Sequence, residues 1–419
     1  MIFFSVMDKL KFHYFAFIGL LQFSSSLAAQ EGMNSTINVV VSESSEYQLN
    51  TESLFTSMVI KSATNQDFSG AYISIGQKKW PIRPNHVQTS ETSYSNLIVF
   101  DSPVHEFKLF TGNLKGSLQI VMFDARRKVS YRFKQQNNQE LCEEPNAIDQ
   151  SQWRAGLPEP SYNRLFTEVN HQIVHHSATS NSLSDYENVV RNIYLFHTQE
   201  RGWSDIGYNY LIAPDGLIYK GRDPAGGNQD DVLGAHFCGT NSGTMGICML
   251  GTYISSLPSD EAMNSLKHLL TWKAKKESLE VMEADFHPSN PVLPIIAGHR
   301  DGCATECPGS LLYQELTNVR INVANQLSEC VDDENVDIAL FPNPVTIEGM
   351  TLIWPPQTPF VLNIYDLVGR LMVRNYDLEL KEDQTWQIKF SPVTPSGIYF
   401  ISVKSRFLSL TRKIMLLNN

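Results

Sequence analysis

The chain has 419 residues, too many for one ordinary domain, so two or three are expected. With 42% hydrophobic and 18% charged residues it is folded globular material, neither disordered nor of low complexity. Lys and Arg number 33 against 44 Asp and Glu, a formal charge of −11, which argues against nucleic acid as the main partner because phosphate binding needs a basic face.

In chain order, Lys9 and Lys11 precede an apolar run from Phe12 to Leu21 and a polar Ser24-Ser25-Ser26 stretch, with small residues at Ala28-Ala29. This is the pattern of an export signal over residues 1–28. The apolar run is too short to span a bilayer, so no integral membrane segment is expected after cleavage. Residues 30–140 read as an all-β, sandwich-like accessory domain. Runs such as Ile37–Val41, Phe55–Ile60, Asn96–Phe100 and Leu118–Phe123 are rich in β-branched and aromatic residues and are separated by polar turns. A polar, proline-bearing stretch at 141–164 reads as a linker.

From 165 to 330 the periodicity alternates between strand and helix, which predicts an α/β domain with a mixed sheet and flanking helices. Ser184 to Glu187 matches a capping box, with Val189, Ile193 and Phe196 following at helical spacing. Pro214-Asp215-Gly216 predicts a hairpin turn, and Ser259 a second helix N-terminus. After an acidic connector, residues 338–419 form a further β-rich block, read as an immunoglobulin-like sandwich.

Six cysteines in an exported chain permit disulfides. Cys142 and Cys330 flank the middle domain and are placed to clip its ends together. Cys248 lies in the apolar run Met245 to Leu250 and reads as a buried strand residue.

Three groups in the middle domain carry chemistry. In Ile173-Val174-His175-His176, strand alternation sends the two histidines to opposite faces, so one at most serves a site from this strand. His299 and Cys307 lie on a short stretch, Ala297-Gly298-His299-Arg300-Asp301 to Thr305-Glu306-Cys307-Pro308-Gly309, able to curl around one point. Two imidazoles and a thiolate satisfy the three-ligand count of a catalytic Zn2+ site, which keeps a fourth position open. The third group is Arg201 to Tyr210, in which Tyr208 supplies a phenol able to donate to a developing oxyanion.

Together these segments resemble the peptidoglycan recognition protein and type 2 N-acetylmuramoyl-L-alanine amidase family over about residues 165–328. The matches include Gly202-Trp203-Ser204-Asp205-Ile206-Gly207-Tyr208-Asn209, Gly234-Ala235-His236 with Asn241, and Gly298-His299-Arg300-Asp301 with Cys307-Pro308-Gly309. The resemblance implies that His175, His299 and Cys307 bind zinc, that Tyr208 and Thr305 are catalytic, and that His236 and Asn241 line a groove for peptidoglycan or muropeptide. His236 has a rival role as a supporting histidine. The implied activity is hydrolysis of the amide joining N-acetylmuramic acid to L-alanine. Binding-only receptors on the same fold are the alternative, and they usually lack the cysteine ligand. The loop Asp223–Leu233 is longer and more acidic than in the animal proteins, so no stem-peptide preference carries over. Cys238 and Cys303 also depart from most animal members, and a bridge between them would tie the groove wall to the metal loop. The C-terminal block, with Phe341-Pro342-Asn343-Pro344, Ser396-Gly397-Ile398-Tyr399 and Lys413-Ile414, resembles the sorting domain of type IX secretion. That implies the secretion machinery as a partner and a secreted or cell-surface location.

Overall fold

The computed structural model describes residues 33–85, 92–126, 141–161, 163–330, 339–346, 348–354, 360–372, 376–382, 385–404 and 409–417. The expected export signal, 1–28, lies outside them.

Seven strands form the N-terminal sheet: β1 (Asn34–Val41), β2 (Glu46–Ser62), β3 (Tyr72–Ile75), β4 (Lys78–Pro81), β5 (Ser93–Tyr94), β6 (Ile98–Phe110) and β7 (Gly116–Phe123). They follow one hydrogen-bonded path, β1-β7-β2-β6-β3-β4, with β5 on β2. Alternation splits its side chains into two sets. Met58, Ile60, Ile98, Phe100, Ile120 and Met122 bury among themselves and with residues of β1 and β3. Val59, Val99, Val121 and Phe123 point the other way, into a core shared with the middle domain. Where these two cores meet, the sheet is buried on both faces, and Met58-Val59-Ile60 and Ile120-Val121-Met122-Phe123 are continuous apolar runs instead of alternating ones.

The middle domain contains β8 (Ala147–Ile148), α1 (Gln150–Trp153), β9 (His171–His176), α2 (Tyr186–Leu195), β10 (Tyr210–Ile212), β11 (Ile218–Lys220), β12 (Thr244–Met249), α3 (Asp260–Glu277), β13 (Ala284–His287), β14 (Asn290–Pro294), β15 (Ile296–Gly298) and α4 (Ser310–Glu329). Its six-stranded mixed sheet runs β15-β9-β12-β10-β11-β8, parallel from β15 through β10 and antiparallel at the β10–β11 hairpin. One face packs on α3 and α4 through Val174, Tyr210, Ile247, Leu266, Leu269 and Leu316. On the other face, Leu211, Tyr219 and Cys248 share the core with α2 and the N-terminal sheet.

The stretch expected to be a linker, 141–164, supplies β8 and α1, and Trp153 is completely buried there with its indole N–H donated to the Lys220 carbonyl at 2.8 Å. Its polar composition hid three buried apolar side chains, Ile148, Trp153 and Leu157. The cap of α2 also differs from expectation: Asp185, not Ser184, accepts the Asn188 amide, at 3.0 Å. Ser184 instead donates its amide to Asp101 of β6. Ser259 caps α3 as expected, accepting from the Ala262 amide.

Two disulfides form. Cys142–Cys330 joins the two ends of the middle domain and Cys238–Cys303 joins two of its loops, leaving Cys248 and Cys307 as buried thiols. The C-terminal unit has β16 (Ala339–Thr346), β17 (Gly349–Ile353), β18 (Val361–Asp366), β19 (Tyr376–Glu382), β20 (Thr385–Phe390), β21 (Gly397–Lys404) and β22 (Ser409–Leu417). They follow the path β18-β21-β22-β16-β17-β20-β19 over a core that includes Trp354, Ile364, Ile388 and Ile401. Among the described residues no helix is long and apolar enough to cross a membrane.

Candidate metal centre

The centre starts from strand alternation in β9. His175 is fully buried on the sheet face that also carries Cys248, its register partner on β12. His176 points to the opposite face, where its Nδ1 accepts the Tyr253 amide at 3.3 Å. Its backbone amide donates to Cys307 Sγ at 3.3 Å, so the sulfur is tied to the strand itself.

His299 follows β15, the neighbour of β9, in a 3-10 turn, His299–Asp301. Asp301 holds that turn: one carboxylate oxygen accepts the Gly298 amide at 2.8 Å and the other the Tyr313 hydroxyl at 2.5 Å. The chain then curls back, with the Arg300 amide donated to the Cys307 carbonyl at 3.0 Å. One ligand atom each from His175, His299 and Cys307 thereby lies within 4.8 Å of the others. Cys307 Sγ is 3.7 Å from His175 Nδ1, and the two imidazole centroids are 4.4 Å apart.

Two imidazoles and one sulfur at these separations fit Zn2+, which takes nitrogen and thiolate donors and leaves a position open when only three come from protein. Burial pushes the Cys307 thiol up to about 12, against the opposing pull of the His176 amide and Arg300. A thiol in that state ionises when a cation sits beside it, which is the coupling expected of a metal ligand. Two other clusters do not fit. In Cys238, His299 and Cys303 both sulfurs are joined in a disulfide, and Asp230, Asp231 and Glu277 surround the Lys273 ammonium at 2.5, 2.6 and 2.8 Å.

His236 fixes which nitrogen of His175 is available. Burial, with the positive charge of Arg222 nearby, drives the His236 pKa down to about 3, so its ring is neutral at ordinary pH. Thr244 donates its hydroxyl to the Asn241 carbonyl at 2.8 Å, and its oxygen therefore accepts from His236 Nε2 at 3.4 Å. His236 Nδ1 is then an acceptor, and His175 Nε2, 3.0 Å away, donates to it. The proton is held on Nε2, which leaves the Nδ1 lone pair aimed toward Cys307. Gly234 and Gly246 make room for this arrangement, since a Cβ at either would collide with the His236 ring.

Tyr208 lies at van der Waals range from the centre, its ring centroid 5.2 Å from that of His175. Burial, together with the proximity of Cys248 and Cys307, holds its pKa well above the usual phenol value. Thr305 Oγ1 accepts the Cys307 amide at 3.2 Å. Asn241 was expected to line a groove. Its side-chain oxygen accepts the His236 and Phe237 amides at 2.7 and 2.8 Å, so it builds the loop that carries His236.

Sequence reasoning missed His197, whose Nδ1 accepts the Gly207 amide at 3.2 Å and whose ring is 4.5 Å from Trp203 and 5.7 Å from Tyr208. Its only sequence signal was the apolar helix it terminates. Asp205, buried, accepts the Ile206 and Asp223 amides and the Gln150 side chain. Burial raises its pKa against those bonds.

Residues 165–310 match the family described as N-acetylmuramoyl-L-alanine amidase, and residues 339–417 match the secretion system C-terminal sorting domain. Peptidoglycan-recognition protein LB of Drosophila melanogaster is 32% identical over 174 residues, 41% of this chain and 67% of that protein. Peptidoglycan recognition protein 1 of Bos taurus is 34% identical over 170 residues, 40% of this chain and 80% of that protein. A mouse N-acetylmuramoyl-L-alanine amidase is 33% identical over 127 residues, 30% of this chain and 21% of that protein. Among solved structures, Drosophila peptidoglycan recognition protein LB aligns at 31% identity with a TM-score of 0.33, covering 41% of this chain and 92% of that one.

Proposed function

We propose that this chain, which belongs to the peptidoglycan recognition protein family, is a zinc-dependent amidase that cuts the bond between N-acetylmuramic acid and L-alanine in peptidoglycan. The observation that supports this reading most is the convergence of His175, His299 and Cys307 within 4.8 Å beside a buried tyrosine. These three side chains would hold the ion. Zinc, when bound, supplies Lewis acidity that polarises a carbonyl and makes water more acidic.

The chain's own residues do the rest. Water adds to the lactyl carbonyl carbon, the C–N bond breaks, and the L-alanine amine leaves with a proton. Tyr208 stays protonated because burial disfavours its phenolate, so it serves as a hydrogen-bond donor to the oxygen on which charge develops, not as a base. Thr305, its oxygen already accepting the Cys307 amide, has a hydroxyl proton to offer as an auxiliary donor. His236 keeps the His175 proton on Nε2 and so preserves the ligand lone pair.

The rival reading is a non-catalytic receptor on the same fold. Retention of the thiol ligand and of Tyr208 favours the enzyme. We further read the chain as exported by the signal at 1–28 and by type IX secretion, with residues 30–140 a sandwich-like unit, 165–330 the amidase, and 338–419 an immunoglobulin-like sorting domain. The test is to incubate purified protein with defined muropeptides, with and without a chelator, and to weigh the products. Free stem peptide that disappears with chelator and returns with zinc is expected. Intact muropeptide in the presence of zinc-loaded protein refutes hydrolysis and leaves the receptor.

A further inference from the structure

We propose that the N-terminal sheet is a working part of the catalytic centre, positioning Tyr208 through a π-turn, and that Glu200 is the residue through which it acts. The inference rests on the role given to Tyr208 above.

The segment bearing Tyr208 hangs on His197. The Gly207 amide donates to His197 Nδ1 at 3.2 Å, the Trp203 amide donates to its carbonyl at 2.9 Å, and its ring lies against both Trp203 and Tyr208. His197 belongs to a π-turn, Phe196–Glu200, that continues α2. Such wide turns are rare overall and frequent at functional sites. Something must hold this one open.

The other side chains of the turn reach the N-terminal sheet. Phe196 meets Tyr94 edge-on with centroids 6.2 Å apart. Glu200, whose side chain is 8% exposed, accepts the Tyr94 hydroxyl at 3.2 Å and pairs with the Lys61 ammonium at 2.8 Å. The Arg201 guanidinium sits 4.7 Å from the Tyr94 ring and 5.8 Å from the Trp203 ring, bridging the sheet to the tyrosine segment. A continuous path of contacts thus runs from Lys61 and Tyr94 to Glu200, along one helical turn to His197, and on to Gly207 and Tyr208.

The sheet is rigidly attached at its end of this path. Thr56 donates to Asn192 of α2 at 3.0 Å, and the buried Arg191 guanidinium donates to the Ala125 carbonyl, just past β7, at 2.7 Å. The N-terminal unit is therefore no tethered module free to swing. It shares one core with α2 and grips the turn beyond it.

The test compares three full-length proteins with wild type: Tyr94→Phe, Tyr94→Phe with Lys61→Met, and Thr56→Val. Tyr94→Phe keeps the ring and removes the hydroxyl that bonds Glu200, so it guards against a double variant that fails to fold. Thr56→Val loosens the same interface without touching the turn. Four quantities are read: amide exchange at Gly207, zinc content, the kcat and KM for a muropeptide, and Tm. Because a misplacement of about 1 Å costs on the order of 10²-fold, the double variant should lose roughly ten-fold or more in kcat with KM and zinc unchanged. Gly207 exchange should accelerate in parallel, and Tyr94→Phe should show a smaller effect in the same direction. Thr56→Val should lower Tm alone. Unchanged Gly207 exchange and kcat in the Tyr94 and Lys61 variants overturn the proposal. Equal changes in Thr56→Val overturn it too, because they would trace the effect to general loosening. If wild type turns over no muropeptide, the hydrolysis reading has failed, while Gly207 exchange still decides whether the sheet controls the tyrosine segment.

Discussion

Removal of one oxygen atom, Tyr208→Phe, separates catalysis from every other property of the site. The phenol lies near Cys248 and Cys307, and its ring fills space beside His175 and His197 that phenylalanine fills equally well. The folded protein therefore loses little, about 1 kcal/mol or less, and leaves no cavity. None of the three proposed ligands is bonded through Tyr208, so zinc content should not change. What disappears is a donor directed at the reacting oxygen, in a site dry enough to keep the phenol protonated. Loss of one such donor costs roughly 10²–10³ in kcat, or about 2.7–4 kcal/mol. The assay is steady-state cleavage of a defined muropeptide, with zinc measured on the same samples. The expected pattern is a lower kcat, little change in KM, and stoichiometric metal. Wild-type turnover refutes the role of Tyr208. A loss that tracks zinc loss refutes the premise that the phenol and the metal are independent.

His236→Phe removes the acceptor that holds the proton on His175 Nε2, so zinc affinity, read by competition with a chromogenic chelator, should fall roughly 10–100-fold. Lys273 is wholly buried among Asp230, Asp231 and Glu277, and Lys273→Met should cost up to about 3–5 kcal/mol in denaturant unfolding at neutral pH, because it leaves three carboxylates to one remaining, partly exposed cation, Lys276. The same cluster sets an acid limit. Burial pushes the Asp231 carboxyl up, but the hydrogen bond and charge of Lys273, with Asn228, outweigh it and hold the folded pKa below the usual value. That stabilisation is complete above about pH 3.9 and is lost as pH falls through the depressed value, so the acid arm of the Tm–pH profile should flatten in Lys273→Met. Replacing both Cys142 and Cys330 by Ala opens a closure across 188 residues, and chain entropy sets the loss at up to roughly 5 kcal/mol by thermal or denaturant unfolding.

The site was legible because its residues are chemically unusual. Adjacent histidines on a strand alone read as core residues, and only the His299 to Cys307 stretch, adding a second imidazole and a thiol, pointed to a metal. Alternation alone was enough to separate His175 from His176. The supporting contacts were not legible. Asn241 and His236 are ordinary polar residues whose partners are set by a loop crossing the sheet, and no local pattern encodes that crossing. The docking of the N-terminal sheet was hidden for a related reason. Its apolar runs at Met58-Val59-Ile60 and Ile120–Phe123 carried the sign of a sheet buried on both faces, yet the polar composition of 141–164 suggested separation. Composition averaged Trp153 and Ile148 away, although these two residues anchor the stretch.

The cysteines pose a last problem whose solution is visible in their placement. An exported chain matures where thiols oxidise, yet the proposed chemistry needs one of six to survive as a metal ligand. Cys303 is only four positions from Cys307 and is its most dangerous partner. Its pairing with Cys238, across 65 residues, removes it from reach and pins the metal loop to the His236 loop in the same act. Cys142 and Cys330 take each other, joining the two ends of the domain. The two thiols that remain are fully buried, and burial raises both their pKa values, which suppresses the thiolate that oxidants attack. A cation arriving between His175 and His299 reverses that penalty for Cys307 alone. The same burial that protects the sulfur before zinc binds would therefore make it a committed ligand afterwards.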